Sequence, residues 1–367
     1  MATVAPEQFK STLHEMTQTT PTVLWNDSAT LSELTYTIAH GGVGATCNPV
    51  IVLEALKSEA ELWNPRIKQL AEQHSAATED EIGWLLIEEI SATRAKLLED
   101  IFRAHGGKNG RLSIQTDPHL YRDSKRLVEQ ALRFNGLAPN MIVKIPVTSA
   151  GIPAIEEATY QGVSVNATAC FTLPQCVAVA EAVERGLRRR EKEGRDIASM
   201  GPVCTIMVGR LDDWLKVIAE NQAIISGEPG YLEWAGVAVF KKTYRLFRER
   251  GYRLRLLSAA FRNHMHWSEL IGGDVVISPP HRWQVRFNAS DVKCAHRIDS
   301  PVDAKIVSDL QEKFPDFVRA YTEGGLSVQE FDTFGATMRT LRGFLDATHE
   351  LATIVRNVIL PNPDKKR

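Results

Sequence analysis

The chain has 367 residues, 44% hydrophobic and 24% charged, with a formal net charge of −2. That composition excludes a disordered chain, and its charge offers no global field for nucleic acid or an anionic membrane surface. No apolar run approaches the ~18 residues of a membrane span, and the opening MATVAPEQFKSTLHEM lacks the apolar centre of a signal peptide.

Along the chain, short apolar runs alternate with longer helical patterns. The first two strands are expected at 22–27 (TVLWND) and 43–47 (VGATC), the latter entered through a tight turn in the GGVG of Gly41–Gly44, which lacks the Lys-Ser/Thr of a P-loop. A helix follows at 50–62, opened by Pro49, and a second at 82–103. The third strand is 111–117 (RLSIQTD), then come a helix at 123–134 and the fourth strand at 141–147 (MIVKIPV). A helix at 152–160 leads to the fifth strand at 162–168 (GVSVNAT), and a helix at 173–192 to the sixth at 203–209 (VCTIMVG). A helix at 231–250 precedes the seventh strand at 253–260 (RLRLLSAA), and the eighth is 274–278 (DVVIS). The strands are continuous apolar runs, the pattern of parallel strands covered on both faces.

Eight strand–helix alternations predict a single (β/α)8 barrel, with a doubly wound sheet as the alternative. The expected organisation is an N-terminal extension or helix over 1–20, the barrel over 21–300, and helices over 301–360 packing on a barrel end. The tail 361–367 (PNPDKKR) should fray. The mixed charge run 185–195 (RGLRRREKEGR) reads as a solvated helix end. Five cysteines, odd in number, scattered and without CxxC, fit a reducing, cytoplasmic compartment. Cys47, Cys170 and Cys204 lie in apolar runs and read as core residues.

In a parallel barrel, functional side chains gather at the C-terminal strand ends. Those ends carry Asp27, Asn48, Gln115 with Asp117, Lys144, Asn166 with Thr168, Thr205 with Arg210, and Arg262 with Asn263. Seven polar ends converging on one mouth fit a polyhydroxylated ligand. Lys144 stands between apolar neighbours. Pointing into the barrel, its amine would be desolvated, kept neutral and able to attack a carbonyl; at a strand edge it would snorkel to water. His264 and His266, with His281, form a weak metal candidate that lacks a nearby carboxylate.

Four motifs resemble the transaldolase family: IVKIPVTSAGIPAIEEATYQGVSVNATACFTLPQ over 142–175, GATCNPVIV over 44–52, TIMVGRLDDW over 205–214 and SAAFRN over 258–263. They occur in family order and cover roughly residues 20–280. The resemblance implies a Schiff-base enzyme that needs no cofactor and no metal, acts on sugar phosphates, and transfers a dihydroxyacetone unit in pentose-phosphate-type chemistry. It implies Lys144 as the imine-forming amine and Asp27 as the group that takes and returns the hydroxyl proton. Thr168 would position water, Asn48, Asn166 and Thr205 would hold hydroxyls, and Arg210 and Arg262 would clamp a phosphate. Asn48 could instead cap a helix, and Arg210 could pair with Asp212 or Asp213.

Three positions depart from the family pattern. Gln115 stands where transaldolases carry a water-activating glutamate. The fructose-6-phosphate aldolase branch also has glutamine there but pairs it with a tyrosine where this chain has Met207. Ala260 replaces a serine of the phosphate site. An aldolase that releases or adds dihydroxyacetone is therefore the alternative, and a non-catalytic sugar-phosphate-binding homologue the third reading. No partner beyond the substrate is implied, and a homodimer stays open.

Overall fold

The computed structural model describes residues 9–28 and 30–364. Residues 1–8 of the expected N-terminal extension and 365–367 of the expected frayed tail lie outside the described residues. In chain order the elements are α1 (Thr12–Thr19), β1 (Val23–Asn26), α2 (Leu31–Ala39), β2 (Gly42–Thr46), α3 (Pro49–Ser58), α4 (Ala60–Gln73), α5 (Glu79–Lys96), α6 (Glu99–Ala104) and β3 (Arg111–Gln115). They continue through α7 (Ser124–Asn135), β4 (Met141–Pro146), α8 (Gly151–Tyr160), β5 (Val165–Cys170), α9 (Leu173–Lys192), β6 (Val203–Ile206), α10 (Val208–Asn221), α11 (Ala235–Arg250) and β7 (Arg255–Ser258). The last are α12 (Met265–Ser268), β8 (Val276–Ile277), α13 (His281–Asn288), α14 (Ala304–Lys313), α15 (Pro315–Tyr321) and α16 (Gly335–Ile359).

The eight strands pair in parallel in sequence order and β8 closes onto β1, so the sheet is a (β/α)8 barrel rather than a doubly wound sheet. Every strand expected from the sequence is present. The sixth is shorter than the apolar run 203–209 implied: pairing stops at Ile206, and Val208 opens α10. An unbroken apolar run hides that change from strand to helix, and it moves Arg210 from a strand end into the first turn of a helix. The expected helix at 50–62 is two, meeting at Glu59, and α4 contains Pro65. The helix expected from residue 82 begins three residues earlier because Thr78 and Glu81 form a reciprocal capping box. Helix α1 lies within the expected N-terminal extension or helix, whereas α2 was not visible in the pattern.

Side chains alternate between barrel interior and helix layer along each strand. The interior floor is a small apolar cluster of Trp25, Ile142, Val203, Leu257, Ala259 and Val276. One pleat higher on the same faces stand Asp27, Lys144 and Thr205. Trp25 fills the floor because Gly44 on β2 leaves it room: a Cβ on Gly44 would come within 2.5 Å of the indole ring. The larger core lies between the strands and their helices.

The 25-residue α16 packs on α3, α5 and α10 and places Phe344 against the cavity at the C-terminal strand ends. Among the five cysteines, Cys170, Cys176 and Cys204 meet in the layer outside β5 and β6. Their sulfurs lie 3.4 Å (Cys170–Cys176) and 3.9 Å (Cys170–Cys204) apart, a grouping their scattered positions conceal. No helix among the described residues is long and apolar enough to cross a membrane.

The floor contact yields a first prediction. Gly44→Ala should destabilise the fold by about 1–3 kcal/mol, the usual cost of overpacking. Urea denaturation followed by tryptophan fluorescence measures it; an unchanged midpoint would mean that Trp25 does not wedge against Gly44.

Candidate active site

A cavity of about 470 Å³ opens at the C-terminal strand ends. Its lining includes Asp27, Asn48, Lys144, Thr168, Thr205, Arg210 and Arg262, seven of the eleven polar strand-end residues singled out from the sequence. They come from six different strands or the segments that follow them, so only barrel closure brings them together.

Lys144 is 5% exposed, and its amine faces the cavity from above the apolar floor. Burial holds its pKa below the ordinary lysine value, while the charge of Asp27 opposes the shift. Cys47, just beyond β2, is itself pushed up to about 11 by burial, which keeps it a thiol. Asp27 follows β1, and its Oδ1 accepts a short hydrogen bond from Thr46 Oγ1 on β2. Behind it, buried Asn26 Oδ1 accepts from Thr37 Oγ1 (3.0 Å) and Gln284 Nε2 (3.1 Å). This polar knot ties β1 to α2 and α13 and fixes the strand end that carries Asp27.

Asn48 has two roles. Its Oδ1 caps α3 by accepting from Ile51 N (2.9 Å), so the capping alternative holds, yet the residue also lines the cavity with its amide NH2 uncommitted to the cap. Thr205 lines the cavity and donates to Asn166 Oδ1 (2.6 Å), whose Nδ2 donates to Ser113 Oγ (3.0 Å). Asn166 is fully buried and pairs in register with Lys144, supporting the cavity wall rather than lining it. Gln115 pairs with Lys144 from the other side and is also buried; its Oε1 has no hydrogen-bond partner. Asp117 caps the 3-10 turn at Pro118–Leu120 and contacts His119, while Asn263 caps Met265; neither lines the cavity.

The opposite side of the cavity is cationic. Asp213 does not pair with Arg210. It grips Arg262 in a fork, Nε at 3.1 Å from both oxygens and Nη2 at 2.7 Å from Oδ2. Arg210 has no ion pair with a carboxylate among the described residues. Its Nε is enclosed without a hydrogen-bond partner, and burial, with Arg262 nearby, lowers its pKa. The half-buried guanidinium, without a carboxylate partner among the described residues, lines the cavity and can chemically accept an anion.

Sequence reading missed Thr46, Glu33, Glu54, Phe344 and the α13 group Arg282, Trp283 and Arg286, all but Thr46 being cavity-lining. The alternation of apolar residues in HRWQVRFNAS was the one available signal for α13. The histidines do not form a metal site. His264 Nδ1 lies 3.1 Å from Ser268 Oγ, buried His266 faces Asp212 at 2.8 Å, and His281 faces Glu33 at 3.5 Å.

Residues 24–321 match the family described as Transaldolase/Fructose-6-phosphate aldolase. Among curated proteins, the Transaldolase of Thermobifida fusca is 34% identical over 188 residues, covering 50% of each chain. Transaldolase 1 of Streptomyces avermitilis is 36% identical over 188 residues, 50% of this chain and 48% of the relative. The Transaldolase of Mycobacterium ulcerans is 29% identical over 227 residues, 58% and 60%. The chain thus spans about half the length of the curated relatives it matches.

The buried amine gives a prediction with a defined sign. A lysine whose folded pKa is lowered from 10.5 binds its proton more weakly in the folded than in the unfolded state. It therefore costs stability below the folded pKa, and that cost fades as pH rises towards 10.5. Lys144→Met should raise Tm at pH 7, with the gain shrinking by pH 10. Thermal melts of both proteins across that range test this; a gain that grows with pH would contradict burial as the cause.

Proposed function

The chain belongs to the transaldolase/fructose-6-phosphate aldolase family, and on that premise we propose that it transfers a dihydroxyacetone unit between sugar phosphates through a Schiff base on Lys144. The observation that carries this reading is the buried amine facing a cavity with Asp27 on one side and the open Arg210 on the other. The neutral amine adds to the ketose carbonyl, and loss of water gives the iminium. Asp27 takes the proton from the hydroxyl of the carbon whose bond to the dihydroxyacetone unit breaks, the iminium accepting the electron pair. The first aldose leaves and a second enters. Its carbonyl carbon forms the new bond as its oxygen takes the proton back from Asp27. Arg210 and Arg262 hold the phosphate of each sugar. Thr168 positions the water that opens and closes the imine.

Gln115 supports a second reading, an aldolase that releases or adds free dihydroxyacetone. Its amide can hold that water but transfers no proton at neutral pH. The two readings share Lys144 and differ in whether the bound fragment is captured by an aldehyde or hydrolysed.

Incubation with fructose 6-phosphate and borohydride, with and without erythrose 4-phosphate, tests both readings. The expected result is a reduced adduct on Lys144, depleted when the acceptor is present, with little free dihydroxyacetone. An adduct on another lysine would remove the proposed nucleophile, and free dihydroxyacetone accumulating regardless of acceptor would favour the aldolase.

Gln115→Glu should place a titratable group at the water and speed imine hydrolysis, within the roughly 10²–10⁴-fold range of general acid–base catalysis. It should also add an acidic limb to the pH–rate profile. A variant slower than the parent at every pH would mean that the amide is tuned to a different reaction.

A further inference from the structure

The two cavity arginines sit on separate elements, Arg210 in the first turn of α10 and Arg262 in the loop after β7. Two adjacent carboxylates of α10 reach that loop. Asp213 grips the Arg262 guanidinium. Asp212 Oδ2 lies 2.8 Å from His266 Nε2, and His266 Nδ1 lies 3.1 Å from the main-chain nitrogen of Arg262. Both Asp212 and His266 are fully buried.

The main-chain N–H of Arg262 can only donate, so Nδ1 accepts and the ring proton is on Nε2, donated to Asp212. The Asn263 amide nitrogen, 3.3 Å from the same Nε2, is a weaker claimant than the carboxylate. Asp212 is itself oriented, because its Oδ1 accepts from Gly236 N (2.9 Å) at the start of α11. The loop needs such a hold. Ala260 has φ +63, a left-handed conformation that costs a non-glycine residue energy. It brings its carbonyl so close to α10 that a Cβ on Gly209 would lie 2.1 Å from it.

We propose that His266, its tautomer set by Asp212, is a positioning residue for the anion-binding arginine pair, fixing the main chain at Arg262 and tying that loop to the helix that carries Arg210. This rests on the proposed function only in taking the anion to be a sugar phosphate. Neither His266 nor Asp212 touches the substrate. Their contribution is preorganisation: Arg262 meets the anion without first ordering its own loop.

Asp212→Asn separates this role from simple packing, because it preserves shape and removes a buried charge. Gly236 N–H would keep the asparagine carbonyl where Oδ1 was, so its NH2 would face His266. Nε2 would then accept, the ring proton would move to Nδ1, and Nδ1–H would oppose the Arg262 N–H.

The experiment reads two quantities that need no turnover. The first is the histidine tautomer, by NMR of ¹⁵N-histidine-labelled protein. The second is affinity for inorganic phosphate, from the Tm rise on phosphate titration. We expect Nε2–H in the parent, Nδ1–H in Asp212→Asn, and phosphate binding weakened about tenfold or more, the scale of one misaligned charge-assisted hydrogen bond. KM for fructose 6-phosphate should rise by a similar factor, with kcat falling much less.

His266→Gln, which keeps a donor towards Asp212 and loses the acceptor for Arg262, should weaken phosphate to the same degree. His266→Asn, whose Oδ1 stands where Nδ1 was, should bind phosphate more tightly than His266→Gln. Parent protein with the proton on Nδ1 would overturn the proposal, as would a flipped tautomer with unchanged phosphate affinity, or Asp212→Asn without a flip. Because phosphate binding is read without catalysis, these outcomes are distinct from a failure of Lys144 to form an imine.

Discussion

The structure depends most on the desolvation of one amine. Lys144 stands above a floor of buried apolar side chains, and the neighbours of its strand are core residues. An ammonium there loses most of its hydration, and what opposes that loss is the charge of Asp27 across the mouth. Burial alone would favour a permanently neutral amine, and a close ion pair a permanently charged one. An imine-forming lysine needs access to both states, since the amine attacks as a free base while the intermediate carries positive charge. In the proposed mechanism the same Asp27 charge that moderates the lysine would stabilise that cation as it forms, before the carboxylate moves any proton.

The barrel makes this arrangement hold. Trp25 closes the floor only because Gly44 has no side chain, and Asp27 reaches its position only because Asn26, on the opposite face of β1, is held by Thr37 and Gln284. The inward and outward faces of β1 therefore divide the labour: the outward face fixes the strand end and the inward face presents the carboxylate. The mouth is asymmetric in charge. The β1–β2 side carries Asp27, Glu33 and Glu54, and burial raises the pKa of Glu54 above the ordinary carboxyl value, with Asp27 and Glu33 adding to the rise. Arg210 and Arg262 stand on the β6–β7 side. Arg282 and Arg286 of α13 also line the cavity, and Arg282 opposes the rise at Glu54.

Much of this was legible in the sequence because parallel strands buried on both faces leave continuous apolar runs, and all eight strands were visible that way. The candidate site was legible where polar residues interrupt those runs at their ends, as at Asp27, Lys144 and Thr168. It was not legible where the informative contact joins distant segments. Nothing in the local pattern distinguishes Asp212 from Asp213, yet one turns to His266 and the other to Arg262. Nothing separates Asn166, bonded at both ends of its amide, from Thr168, which faces the cavity two residues later. The run TIMVGR hid a helix start because apolar residues suit a buried strand and a buried helix turn equally. The thiol group of Cys170, Cys176 and Cys204 was hidden for a related reason: a strand, a helix and the next strand each contribute one sulfur.

Gln115 shows what the fold tolerates and what chemistry it leaves to be supplied. Its Oε1 is buried beside the strand of Lys144 without a hydrogen-bond partner, a costly state for a polar atom in a packed interior. A glutamate at this position would put a second carboxylate on the strand beside Lys144, and a carboxylate near a buried amine favours the ammonium. The amide avoids that effect, and in the proposed mechanism it does so at the expense of a proton-transfer group at the water. In the proposed mechanism that loss bears on imine formation and imine hydrolysis alike, because the two directions share the same proton transfers.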